Sequence, residues 1–232
     1  MEISRSNVAG PNSLASFYTW LYRREKHDSP DKSRTDMVRR MISLLEMIIN
    51  TSLGGIPRVL DIGAGRQALE GQFRSTVGKK SPLREVRFVT LDIADIAKRA
   101  LIAAESEVVS HVRADAAYLP FRGESFDMVV SNHAIDFLNK IEVDVYSEAF
   151  RVLRKGGYAL FNFHHPSLVE GIERVKSEEV RSFWTYLREN NVLFQDEDQI
   201  REKLKSVGFS VLEVTLVKDG PDQWWEVVAQ KV

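Results

Sequence analysis

The sequence predicts an α/β chain. Its core is a doubly wound, seven-stranded, mostly parallel sheet ending in an antiparallel C-terminal hairpin, and it carries an N-terminal helical extension and a helical lid insertion. Three observations predict this. Short apolar runs alternate with helical patterns from Arg58 to Phe163, and that strand-helix order argues a parallel sheet with helices on both faces. Gly63 and Gly65 stand directly after the first apolar run and directly before a helical segment, the shape of a nucleotide-binding turn. The last two apolar runs are joined by only Asp219-Gly220-Pro221-Asp222, too short a link to cross over, so they pair antiparallel.

Taken in order, residues 1–11 are polar and carry Gly-Pro, as a loose tail does. From Ser13 to Glu25, Phe17, Tyr18 and Tyr22 recur at helical spacing, with Trp20 off that stripe. A second helix is expected from Asp31 to Asn50, with Met37, Met41, Leu44, Leu45, Ile48 and Ile49 on one face and Gly54-Gly55 as its stop. Strands are expected at Arg58–Ile62, Val86–Leu91, Val108–Val112, Phe126–Ser131 and Tyr158–Phe163. Helices are expected from the glycine turn to Val77, at Ile93–Ala104, and at Glu142–Leu153 with its end at Gly156-Gly157. A charged helical insertion, 167–195, carries Phe183, Trp184 and Tyr186. The helix Gln199–Val207 follows, stopped by Gly208, and then the hairpin strands Ser210–Val217 and Trp224–Lys231. The chain reads as a single domain: tail and helices over 1–55, a cofactor-binding core over 56–166, the insertion, and a C-terminal helix and hairpin over 196–232.

The bulk numbers restrict what this domain does. With 232 residues, 44% hydrophobic, the chain can bury a sizeable core. Its 32 basic and 33 acidic side chains leave a net charge of -1, so nothing attracts it in bulk to nucleic acid or an anionic membrane. The absence of cysteine excludes disulfides, thiolate metal sites and thiol catalysis. No apolar run is long enough to span a bilayer and no N-terminal apolar leader is visible. The expectation is a cytoplasmic protein without a membrane partner; its oligomeric state is open.

The turn itself, Gly63-Ala64-Gly65-Arg66-Gln67-Ala68, fits a tolerated form of the dinucleotide fingerprint. Asp61, two residues before Gly63, argues for a different ligand. A carboxylate in the mouth of the turn repels a pyrophosphate and attracts a cation. S-adenosylmethionine carries no phosphate, but it does carry a sulfonium and an α-ammonium. Asp92 ends the second strand, 27 residues after Gly65. A carboxylate there accepts from ribose hydroxyls, as it does in nicotinamide enzymes too, so it does not discriminate between the two ligands.

Further along stand Arg113-Ala114-Asp115-Ala116-Ala117-Tyr118-Leu119-Pro120-Phe121, Glu124-Ser125-Phe126-Asp127 leading to Ser131-Asn132-His133, and Arg151-Val152-Leu153-Arg154-Lys155-Gly156-Gly157. With these, the chain resembles the class I S-adenosylmethionine-dependent methyltransferases of the type 11 group, which have a Rossmann-like fold, over about Val59 to Phe163. The resemblance implies roles. Asp61, Gly63 and Gly65 would hold the methionine end, Asp92 the ribose, and Ile93 would pack against the adenine. Asp115 would accept from the adenine amino group, with the Ala116 N–H at a ring nitrogen. Ser131, Asn132 and His133 would lie beside the sulfonium and methyl. One departure stands out: Gln67 occupies a position where the family often has a third glycine, and its bulk puts the cofactor's pose there in question. Lys155-Gly156-Gly157 reads as a structural turn.

Methyl transfer asks a protein to align the acceptor and, where needed, to take its proton. The candidates are His133 after the fourth strand and His164 and His165 after the fifth. Neighbours on a strand point to opposite faces, so at most one of the latter pair faces the site. Asp136 reads first as a helix-start carboxylate and second as a group orienting a histidine. No third ligand is evident to make a metal site of the histidine pair, so no metal is expected. The N-terminal aromatics and the insertion are either core or a lid. The acceptor is expected to be a small or medium-sized molecule, because no basic face or nucleic-acid module is evident; RNA or protein acceptors stay open. The rivals are a nicotinamide-dependent oxidoreductase and a binding subunit without catalysis.

Overall fold

The computed structural model describes residues 32–51, 55–94, 108–138, 142–167, 195–219 and 222–232. The N-terminal aromatics Phe17, Tyr18, Trp20 and Tyr22, most of the expected helix after Asp92, and the insertion from 168 to 194 lie outside them. The elements are α1 (Lys32–Thr51), β1 (Arg58–Ile62), α2 (Ala68–Thr76), β2 (Arg87–Asp92), β3 (Val109–Arg113), β4 (Phe126–Asn132), α3 (Glu142–Val152), β5 (Leu153–His164), α4 (Glu197–Ser206), β6 (Ser210–Asp219) and β7 (Asp222–Gln230). Seven strands form one sheet in the order β3-β2-β1-β4-β5-β7-β6. β1 to β5 run parallel, and β7 pairs antiparallel with both β5 and β6. Order reverses at β1, with β2 on one side and β4 on the other, and in open α/β sheets that is where ligands bind.

Strand periodicity decides which helix covers which face. Val59, Met128, Val130, Leu160 and Val228 face α1 and α2, whose Met37, Met41, Leu45 and Phe73 bury against them. Leu60, Val129, Ala159, Phe161 and Val227 face the other way, under Tyr146 and Ala149 of α3 and Ile200 and Leu204 of α4. Arg40 also pins α1 to the hairpin, donating to Glu213 at 2.7 Å and Glu226 at 3.3 Å. Among the described residues no helix is long and apolar enough to cross a membrane.

One expected boundary is corrected. The helix before the fifth strand does not run on to Gly156-Gly157: α3 ends at Val152 and β5 begins at Leu153, pairing with Phe126. The glycines instead carry an irregularity inside β5, where the register slips between Phe126 and Met128. A Cβ on Gly157 would meet the Arg154 and Asp127 carbonyl oxygens and the Leu153 side chain, each at 2.9 Å. The strand can make this bend only with glycine there.

Candidate active site

The glycine turn joins β1 to α2 over the C-terminal end of the sheet. Gly63 (φ 74°), Gly65 (φ 51°) and Gln67 (φ 63°) all take the left-handed conformation. The Gly63 and Ala64 amides both donate to the Leu91 carbonyl, which holds the turn against β2. Asp92 completes the anchorage, one carboxylate oxygen accepting from the Gly65 N–H at 2.9 Å and the other from the Ala94 N–H at 2.8 Å. Burial raises its pKa above the usual aspartate value, against the pull of those amides. The predicted ribose ligand is therefore also the clasp of the turn.

Gln67 resolves the question of its bulk. Its backbone adopts the left-handed shape a glycine would take, and its side chain turns inward, 1% exposed, where Nε2 donates to the Thr90 hydroxyl at 2.8 Å. It takes no part in the cavity at the turn. That cavity, about 130 Å³, is lined by Arg34, Asp61, Gly63, Ala64, Gly65, Arg66, Ala68, Leu69 and Asn132. Acidic and basic side chains stand side by side in it. Asp61 is 2% exposed, and Glu70 of α2 lies fully buried behind it. Burial first, and then the facing Glu70 carboxyl, push Asp61 well above the usual aspartate range. Burial pushes Glu70 up to about 7. Nothing at the sequence level singled out Glu70 or Arg34, although Glu70 interrupts the apolar stripe of Leu69 and Phe73, and a charge on a buried stripe is a usable signal.

The other predicted cofactor residues divide. Asn132 lines the cavity, and its Oδ1 accepts from Asn162 Nδ2 at 3.0 Å across the β4–β5 pair. Ser131 points inward, its hydroxyl donating to the Ile62 carbonyl at 2.9 Å, so it ties β4 to β1. Asp115 forms a turn with Oδ1 accepting from the Ala117 N–H at 2.9 Å. Ala116 is buried and Ile93 is partly exposed at the end of β2. None of these three lines the 130 Å³ cavity.

At the ends of β4 and β5 the fold assembles what the sequence left scattered. His133, at φ 55°, leaves β4 with its N–H donated to the Asn162 carbonyl. A non-glycine residue in that conformation is strained and held by its surroundings. His164, two residues beyond Asn162, stacks on His133 with ring centroids 4.2 Å apart. Asp136 serves both readings. It lies in the first turn of a short 3₁₀ helix, fully buried, and Oδ2 accepts from the His164 backbone N–H at 2.8 Å and meets His164 Nδ1 at 2.5 Å. Burial raises the Asp136 pKa, but the charge and hydrogen bonds of His164 outweigh it and hold the carboxyl below the usual value. An ionised carboxylate only accepts, so His164 Nδ1 carries the proton. His165 goes the other way, as the strand alternation requires: its Nδ1 faces Ser167 and its ring packs near Trp225.

His133, Asp136 and His164 place candidate ligand atoms within 4.8 Å of one another, so a third ligand does exist for a histidine pair. A metal there would have to open the 2.5 Å Asp136–His164 contact and splay two stacked rings. The arrangement as it stands is a hydrogen-bonded dyad with a second imidazole on its face.

Comparison with known proteins bears on the fold. Residues 60–161, from β1 into β5, match the family described as methyltransferase domain. Burkholderia thailandensis 1,6-didemethyltoxoflavin-N1-methyltransferase, crystallised with 1,6-didemethyltoxoflavin and S-adenosylhomocysteine, superimposes with a TM-score of 0.68 at 14% identity, over 98% of this chain and 92% of that one. A chain from the complex of the Haloferax volcanii Trm112 methyltransferase activator gives 0.64 at 15% identity, over 94% and 97%. The [4+2]-cyclase SpnF gives 0.55 at 15%, over 82% and 80%. Likeness at such identities establishes the fold. No curated protein sequence gives a match. Over residues 60–161 this chain matches the methyltransferase domain family, and its fold is that of solved S-adenosylmethionine-dependent methyltransferases.

Proposed function

We propose that this protein transfers a methyl group from S-adenosylmethionine to a small or medium-sized acceptor, with the Asp136–His164 dyad taking the acceptor's proton. The observation that carries the reading is the cavity at the glycine turn, where Asp61 faces the same space as Arg34 and Arg66. Acid and base side by side suit the ammonium and carboxylate of an amino-acid terminus, and the residues present fit the methionine end of that cofactor. A pyrophosphate would meet the buried carboxyls Asp61 and Glu70 instead. The cofactor supplies an electrophilic methyl on a sulfonium, already a good leaving group.

The chain's own residues do the rest. Asp61 attracts the ammonium, while Gly63 and Gly65 let the backbone approach closely. Asp92 holds the turn in shape and has lone pairs left for ribose hydroxyls. Asp136 fixes the His164 tautomer, leaving Nε2 as the acceptor nitrogen of a general base. His133, strained and stacked on that ring, restrains its orientation. The 1,6-didemethyltoxoflavin-N1-methyltransferase neighbour is crystallised with 1,6-didemethyltoxoflavin, which supports a small acceptor.

The test begins with calorimetry. S-adenosylmethionine and S-adenosylhomocysteine are expected to bind and NAD is not; the reverse preference refutes the reading. With an acceptor identified from metabolite pools, His164→Ala is expected to lower turnover by roughly 10²–10⁴-fold at unchanged cofactor affinity. His165→Ala is the control and is expected to change little. Near-normal turnover in His164→Ala would leave catalysis to alignment alone.

A further inference from the structure

We propose that Glu70 and Asp61 hold a single shared proton beneath the glycine turn, and that capture of the cofactor's α-ammonium expels it. The inference rests on the S-adenosylmethionine reading above and concerns a residue with no assigned part in it. Glu70 is 0% exposed and Asp61 2%. Among the described residues, apart from its own amide and the Asp61 carboxyl, Glu70 has no hydrogen-bond donor at either oxygen. Two ionised carboxylates cannot face each other in a dry interior, so one keeps its proton and donates O–H to the other. Asp61, unlike Glu70, opens onto the cavity.

Among the described residues, Asp61 of β1 faces Glu70 of α2, Asp92 at the end of β2 and Arg34 of α1, and Arg66 of the turn lines the same cavity. Glu70 faces Asp61, Arg74 one turn along its own helix, and Arg34. Burial dominates for both carboxyls and raises both. The free pair therefore presents about one negative charge near neutral pH, which limits the repulsion stored under the turn.

A cation arriving beside Asp61 favours the doubly ionised pair. The O–H bond of the shared carboxyl breaks, the proton passes to the buffer, and both carboxylates remain to face the ammonium. Cation and proton compete, so cofactor affinity must rise with pH through the pair's titration and level off above it. Glu70 does not touch the cofactor in this scheme. It is a positioning residue that sets the charge Asp61 presents.

Calorimetric titration of S-adenosylhomocysteine and of S-adenosylmethionine, each in two buffers of different ionisation heat, counts the protons exchanged. Near pH 7 the wild-type protein is expected to release up to one proton with either ligand, since both carry the ammonium. Affinity is expected to rise by up to about tenfold per pH unit in that window. Glu70→Gln keeps the size and burial and is expected to bind with no proton released and a flat pH profile. A purely structural Glu70 would change the melting temperature of that variant but not the proton count. Tight binding by wild type without proton release overturns the inference, as does release that persists in Glu70→Gln. Release with S-adenosylmethionine alone would place the competing cation at the sulfonium and also overturns it. Absence of binding by both ligands overturns the cofactor reading and the expelled proton with it. The protonated-carboxyl infrared band of the free protein at pH 7, expected in wild type, then decides the acid pair on its own, and its absence refutes it.

Discussion

Gly63→Ala tests how tightly the turn is packed against the dyad. Gly63 has φ 74°, and a Cβ built there would sit well under 3.0 Å from the Cβ of Ala134. Two separable penalties follow. An alanine in the left-handed region costs roughly 1–2 kcal/mol. Ordinary carbon contacts lie at about 3.5–4.0 Å, so Ala134 must retreat by more than about 1 Å, and overpacking of that kind costs typically 1–3 kcal/mol. The sum is roughly 2–5 kcal/mol. At about 2–4 °C per kcal/mol for a chain of this size, melting should fall by roughly 4–20 °C. Ala134 lies between strained His133 and the 3₁₀ turn that carries Asp136, so its displacement should also disturb the dyad. Two controls divide the penalties. Gly156→Ala carries positive φ (80°) with open space around the new Cβ, and should show the strain alone. Gly55→Ala has neither feature and should be near neutral. The assay is thermal melting of all three variants, together with Gly63→Ala/Ala134→Gly, which should recover the packing part. If Gly63→Ala melts with Gly156→Ala, or the double variant recovers nothing, the close approach of turn and dyad is refuted.

Two further expectations follow from the same turn. Asp92→Ala strips the Gly65 and Ala94 amides of their acceptor, and at roughly 1–3 kcal/mol per buried unpaired group it should lower both melting temperature and cofactor affinity; an unchanged melting temperature would show that the clasp contributes nothing. Gln67→Gly relieves left-handed strain and loses one hydrogen bond to Thr90, two terms of about 1 kcal/mol each that nearly cancel, so stability and cofactor affinity should both change little; a large gain in affinity would mean that the glutamine does obstruct the pocket.

The succession of strands and helices along the chain and the antiparallel hairpin were legible in the sequence because each rests on a local rule. Period-two alternation assigns Val59 and Leu60 to opposite faces without reference to anything distant, and a four-residue link allows only an antiparallel pair. Asp61, Gly63 and Gly65 were legible for a related reason: strand, turn and helix are consecutive, so the chain alone brings them together, whereas Asp92, 27 residues after Gly65, reaches the turn through the parallel β1–β2 pair. Which histidine Asp136 would meet was not legible. Asp136 and His164 stand 28 residues apart, and only the parallel register of Asn132 with Asn162 brings the ends of β4 and β5 level, so that a buried carboxylate meets one histidine and not the next. Gln67 and Glu70 differ again. Both are polar residues in an apolar turn and helix, and the sequence could count them but not aim them. Tertiary packing sent the amide of Gln67 to Thr90 and left the acid of Glu70 against Asp61. Side-chain direction at such positions is decided by which buried partner is within reach, and that is a property of the folded chain alone.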